Sequence, residues 1–182
     1  GFPLGLYRFQ VVERPVVFLP ASFEKTSMVI IDGPFGCIDP LDDSSMHVLG
    51  HVTETIHAQN TGYFPAIAQP RLREVIGKGM LPVEDIANIT KFHQVIDALA
   101  VYLPSIKRAE HIGSSFVVRA VLANQEATDA RPTLVERLDE RVIRLFSGKL
   151  GTAVSAAMEV VDAIENVGVM APCSASRAIA HA

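Results

Sequence analysis

A strand, a small-residue turn and a helix follow one another between Arg141 and Glu165, and the turn residues could do chemistry. A helix start leaves backbone N–H groups unpaired, and its partial positive charge suits an anionic or carbonyl oxygen. Gly148 and Gly151 would let a ligand approach the backbone. Gly148-Lys149-Leu150-Gly151-Thr152 is not a P-loop, because G-x-x-x-x-G-K-[ST] is absent. Gly77-Lys78-Gly79 does not open a G-x-G-x-x-G either, since Pro82 stands at the third glycine.

Arg119 interrupts the apolar run Phe116-Val117-Val118-Arg119-Ala120-Val121. A charge there must be paired or point off the sheet. Two readings stay open: an outward, solvated Arg on an alternating strand, or a guanidinium fork offered to a substrate carboxylate or carbonyl. His47, His51 and His57 form a histidine cluster. On a strand, His47 and His51 share a face but sit ~13 Å apart, too far to share one ion, so no metal is expected. Ser114, Ser115 and Ser147 lack a G-x-S-x-G context. Cys37 follows Gly36 in a hydrophobic strand and reads as a buried, inert thiol. His93 falls on the polar side of a helix.

The elements that must position these residues change along the chain. Leu6–Glu13, Val16–Leu19, Met28–Ile31, Phe35–Ile38 and Met46–Thr53 read as strands joined by short turns, with Pro15 marking an edge or bulge. An antiparallel meander follows from that order. Pro70–Ile76 predicts a short helix capped at Gly77. Pro82 opens a longer helix whose apolar stripe runs Ile86, Ile89, Phe92, Ile96, Leu99, Leu103 until Pro104 ends it. Gly113–Leu122, Thr133–Arg137 and Arg141–Phe146 read as strands. Ala153–Glu165 reads as a helix with Val154, Met158, Val161 and Ile164 on one face, and residues 167–182 as a loose tail.

Composition sets the class. The 182 residues are 49% hydrophobic and 20% charged, with 12 glycines and 11 prolines, which excludes disordered and collagen-like chains. A chain of this length buries roughly 70% of its unfolded surface and needs no staples. A net charge of −4 makes no case for nucleic acid or an anionic membrane as partner. Two cysteines, Cys37 and Cys173, fit a reduced, cytoplasmic setting. No apolar run reaches the ~18 residues of a membrane span, and GFPLGLYRFQ is no signal peptide. The expected fold class is α+β: a mainly antiparallel sheet with flanking helices, then a final strand-turn-helix.

Three stretches, taken in order, resemble the C-terminal portion of FAD-dependent oxidoreductases of the D-amino-acid oxidase and glycine oxidase type. Met46-His47-Val48-Leu49-Gly50-His51-Val52 is similar to the family's apolar-apolar-Gly-Gly-Thr strand. Phe116-Val117-Val118-Arg119, with the segment to Asp129-Ala130-Arg131-Pro132-Thr133-Leu134, resembles its Gly-apolar-Arg-Pro strand and Asp-x-x-Pro-x-apolar-Gly segment. Arg141–Thr152 and the following helix resemble its closing strand, Gly-rich turn and helix. The likeness spans about residues 6 to 166. It departs at Ala120 (usually Pro), at His51 (commonly a second Gly) and at Val135-Glu136 (where Gly is expected). These departures bear on the substrate more than on the fold.

The resemblance implies a substrate-binding domain over 1–130, closing strands and helix of an FAD-binding domain over 131–166, and the tail beyond. It implies that Arg119 and His51 bind substrate and that Ser147, Gly148, Lys149, Leu150, Gly151 and Thr152 line the FAD ring's pyrimidine end. The reaction implied is oxidation of an amine, amino acid or hydroxyl-bearing small molecule, with no catalytic base named. The G-x-G-x-x-G half of such enzymes is absent, so the chain is expected to be catalytically incomplete alone, to retain no FAD and to self-associate. Two other classes compete: a self-standing small-ligand module without redox activity, and a structural or oligomerising domain suggested by a mean hydropathy of +0.28.

Overall fold

The computed structural model describes residues 7–31, 34–42, 45–123, 133–146, 148, 150–166 and 178–179. They fall into two compact units, one ending at Val121 and one beginning at Leu122. The class is α+β with antiparallel sheets.

In the first unit, β1 (Tyr7–Phe18), β2 (Met28–Ile30), β3 (Gly36–Pro40), β4 (Met46–His51), β5 (Ile56–Thr61), β6 (Met80–Pro82) and β7 (Glu110–Leu122) form one sheet. Its order is β2-β3-β4-β1-β7-β6, with β5 also paired to β1. The meander holds over β2-β3-β4, but β1 lies between β4 and β7. The reason is its length. Val16–Phe18 pairs with β4 and Arg8–Val12 with β5, so β4 and β5 lie end to end along one side of a single twelve-residue strand. Residues 52–55 turn out between them, opposite Glu13–Pro15. Pro15 has no N–H to offer, and it sits where no ladder partner asks for one.

Val11, Glu13 and Val17 alternate onto the face covered by α1 (Pro70–Val75), α2 (Val83–Ile86) and α3 (Phe92–Ala100). One apolar cluster joins Val11, Leu72, Val75, Ile86 and Phe116; another joins Val17, Ile38, Leu49, Phe92, Val95, Ile96 and Leu99. α1 stands as its pattern predicts, with Gly77 following at φ 76°. The helix expected from Pro82 to Leu103 is broken instead. The chain turns at Ile89 and Thr90, whose N–H groups both donate to the Ile86 carbonyl, and restarts at Phe92. The apolar stripe is buried on both sides of the break, so periodicity alone concealed it. His93 is exposed. β5 and β6 went unread because neither Ile-His-Ala-Gln-Asn-Thr nor Met-Leu-Pro is rich in strand formers.

In the second unit, β8 (Thr133–Arg137) and β9 (Ile143–Phe146) form a hairpin, and β10 (Ala178–Ile179) pairs with β8. That short strand belongs to the expected tail; the rest of 167–182 lies outside the described residues. α4 (Ala153–Glu165) contacts β8, where the Arg137 guanidinium donates to the Ala163 carbonyl at 2.9 Å.

Among the described residues no helix is long and apolar enough to cross a membrane, and no group of three or more His, Cys, Asp or Glu is placed to hold a metal ion.

Candidate functional site

His51 ends β4 with its side chain on the helix-covered face, in step with Leu49. Its Nδ1 accepts the N–H of Glu54 at 3.2 Å and of Thr53 at 3.4 Å, and its carbonyl accepts the Thr55 hydroxyl. The imidazole therefore organises the 52–55 turn, with its proton on Nε2. Burial pushes its pKa below the ordinary value, against the pull of the Glu54 charge.

Arg119 lies on β7, one step out of phase with Phe116 and Val118, and so on the other face. It is half-buried. Its Nε donates to Gln10 Oε1 at 2.7 Å, and an Nη donates to the Val52 carbonyl at 3.3 Å. Gln10 in turn donates to Gln59 at 3.4 Å, giving a polar row across β7, β1 and β5. Arg119 is thus neither simply solvated nor simply buried; Gln10 fixes one side of its guanidinium. His51 and Arg119 reach the same turn from opposite faces of the sheet, so the fold does not gather them into one pocket.

In the second unit, Thr133 stations the turn before α4. Its Oγ1 accepts the Gly148 N–H at 3.0 Å and lies 2.5 Å from Thr152 Oγ1. A Cβ built at Gly151 would meet nothing within 4 Å among the described residues. Leu150 and Thr152 complete a single 3-10 turn into α4. Ser147 and Lys149 lie outside the described residues, as do Ala130, Arg131 and Pro132 of the family-like segment.

The densest polar chemistry is at Glu13, whose importance no local motif signals. Glu13 is fully buried at 0% exposure, and its carboxylate receives four donors. His57 Nε2 at 2.8 Å and the Lys91 N–H at 2.7 Å reach Oε2; the Ser114 hydroxyl at 2.7 Å and the Thr90 hydroxyl at 2.5 Å reach Oε1. Burial alone would push the Glu13 pKa up. The hydrogen bonds from His57, Ser114, Thr90 and Lys91 together outweigh it and hold the pKa below the ordinary carboxylate value. An ionised carboxylate only accepts, so His57 donates from Nε2. Ser114 gives its one proton to Glu13, so its oxygen accepts from His111 Nε2 at 3.0 Å. His111 stacks on Phe92 with centroids 4.2 Å apart. At 0% exposure and with its proton committed, Ser114 is no nucleophile toward a solvent-borne substrate.

This network also explains the broken helix. The Glu13 carboxylate sits at the start of α3, where the helix dipole favours negative charge, and Thr90 Oγ1, from the residue before the N-cap Lys91, accepts the Phe92 N–H at 3.1 Å. The available signal was the acid itself, set at an inward position within Val11-Val12-Glu13-Arg14-Pro15-Val16-Val17.

Elsewhere, His47 is buried with Nε2 3.0 Å from the Phe23 carbonyl. The Cys37 thiol is a free cysteine, pushed up to about 11 by burial first and by the Asp39 charge second. At neutral pH about one thiol in ten thousand is then ionised. Alkylation of folded protein by iodoacetamide is expected to be far slower at Cys37 than after denaturation; equal rates would contradict this placement. Comparison with protein families, characterised proteins and solved structures gives no match to this chain.

Proposed function

We propose that this chain is the substrate-binding part of an FAD-dependent oxidoreductase that oxidises an amine, amino acid or hydroxyl-bearing small molecule. It would act in a reducing, cytoplasmic setting. The observation that carries the reading is α4. A Gly-containing turn stapled by Thr133 leads into a thirteen-residue helix that buries Ala156 and exposes Val154, Met158, Val161 and Ile164. An apolar stripe left in water is costly, and a helix of this composition suits one that completes a larger domain. That partner would be the dinucleotide-binding half.

The turn at Gly151 and the start of α4 fit the pyrimidine edge of an FAD ring, where Gly148, Leu150, Gly151 and Thr152 would stand, with Ser147 and Lys149 beside them. When bound, the flavin supplies the hydride acceptor. The helix start favours negative charge at that edge. Arg119, steadied by Gln10, holds a substrate carboxylate or carbonyl by charge-assisted hydrogen bonds. His51 supports this indirectly by shaping the 52–55 turn, whose Val52 carbonyl anchors the same arginine.

The test is flavin content. The longest natural protein containing this chain in frame is expected to release stoichiometric FAD on denaturation; a flavin-free protein overturns the reading. In that protein Arg119→Ala is expected to raise KM by roughly 10- to 100-fold with kcat little changed. An unchanged KM removes Arg119 from the substrate site.

A second reading, a self-standing ligand-binding module, is favoured by the closed core and the satisfied Glu13 network of the first unit. FAD-free protein that still binds a small molecule would select it.

A further inference from the structure

Arg119 on β7, Gln10 on β1 and Gln59 on β5 stand in one row on the sheet face opposite α1, α2 and α3. Their hydrogen bonds have one possible direction. A guanidinium only donates, so Arg119 Nε holds the oxygen of the Gln10 amide toward itself at 2.7 Å. The Gln10 nitrogen then faces β5 and donates to the Gln59 oxygen at 3.4 Å. That turns the Gln59 NH2 away from the row, where it has no hydrogen-bond partner among the described residues. An arginine two strands away thus decides which way the Gln59 amide points. Gln10 is 8% exposed, whereas Arg119 is half-buried and Gln59 exposed. The middle of the row is closed and fixed, and its two ends meet solvent.

Both ends donate. Arg119 brings a positive charge, and the Gln59 NH2 presents its N–H groups with no charge. The two ends lie roughly 10 Å apart, two strand spacings across β1. We propose that this row reads both ends of an anionic small molecule: a carboxylate held by Arg119, and a second oxygen acceptor, carboxylate or amide carbonyl, held by Gln59. Gln59 is then a specificity-determining residue. A substrate with an apolar far end gains nothing from it, and one with a cationic far end meets only donors. The inference rests on the reading of Arg119 as the substrate anchor, and it narrows the substrate to an acid with a second acceptor. It needs no flavin for its test.

Isothermal titration of the full chain compares pimelate, a diacid long enough to bridge the two ends, with heptanoate, the same chain with one carboxylate. Pimelate is expected to bind roughly fivefold more tightly. Gln59→Leu, at an exposed position, is expected to erase that preference, and Arg119→Ala to weaken both acids. Gln59→Leu changes no charge, so a preference that came only from the second negative charge would survive it. Gln59→Glu exchanges donors for acceptors and is expected to turn the preference toward the ω-amino acid of the same length. Equal binding of the two acids, no binding of either, a preference that survives Gln59→Leu, no shift in Gln59→Glu, or indifference to Arg119→Ala each overturns the proposal. Flavin content of the longer protein is a separate measurement, so failure of the oxidoreductase reading and failure of this one are told apart.

Discussion

Glu13→Ala is expected to destabilise the first unit by about 3–5 kcal/mol, the scale of breaking a buried hydrogen-bond network. The carboxylate carries four hydrogen bonds from three places: His57 on β5, Ser114 on β7, and Thr90 and the Lys91 N–H at the start of α3. Deleting it leaves these donors in a space that water does not reach, and each unmet donor costs about 1–3 kcal/mol unless the structure relaxes. Glu13→Gln keeps the volume, but its NH2 faces two donors on one side, so its loss is expected to be of the same order. Urea denaturation checks this through the midpoint, with an unchanged slope confirming that stability moved. A loss below about 1 kcal/mol would mean that the network relaxes around the gap, and its role in fixing α3 would fall.

Stability is expected to depend on pH in two stages. His51 and His111 have pKa values lowered chiefly by burial. The unfolded chain therefore takes up protons at these sites first, and stability falls as pH drops below about 6.5, the ordinary histidine value. Glu13 has a lowered carboxylate pKa, so its contribution is complete above the ordinary carboxylate range and fades as pH falls through the folded value. Denaturation midpoints measured from neutral to acid pH should show both declines. Glu13→Gln is expected to keep the first and lose the second.

Where the chain alternates or repeats plainly, its residues announced the fold. The strands around Val16, Ile38, Leu49 and Phe116, the helix at Pro70 and the face Phe92–Ile96–Leu99 were all legible from spacing. The buried network was not, because its members come from positions 13, 57, 90, 91, 111 and 114, and none forms a local motif. What decides the end of α2 and the start of α3 is a carboxylate roughly eighty residues away in sequence, a tertiary override of an apolar period that continues unbroken through the turn. Arg119 shows the same limit from the other side. Its run suggested two environments, and only the cross-strand position of Gln10 reveals that one side of the guanidinium is held. The α4 stripe was read correctly as one apolar face, yet periodicity cannot say what covers such a face; here it is exposed.

Gly113→Ala is expected to cost about 3 kcal/mol or more, the upper part of the range for forcing atoms into packed space. A Cβ at this position would lie 2.2 Å from the Leu81 carbonyl oxygen, 3.0 Å from its carbon and 3.3 Å from Pro82 Cα. All three are backbone atoms of β6, held by pairing with β7 through Leu81–Ser114 and Pro82–Gly113. No side chain can rotate to make room, so the strand itself must move away. Gly36→Ala is the informative contrast. Its Cβ would meet Leu99 Cδ2 at 2.4 Å, a methyl at the end of a side chain that can turn aside, and its cost is expected to be clearly smaller. Displacing β6 also disturbs Ser114, the neighbour of Gly113 and a donor to Glu13. Gly113→Ala and Ser114→Ala should therefore combine to less than the sum of their separate losses, because the first already weakens what the second removes. Additive losses would show that the steric requirement at Gly113 and the hydrogen bonds at Glu13 are independent. Sub-additive losses would show that one glycine protects both the sheet edge and the charge at its centre.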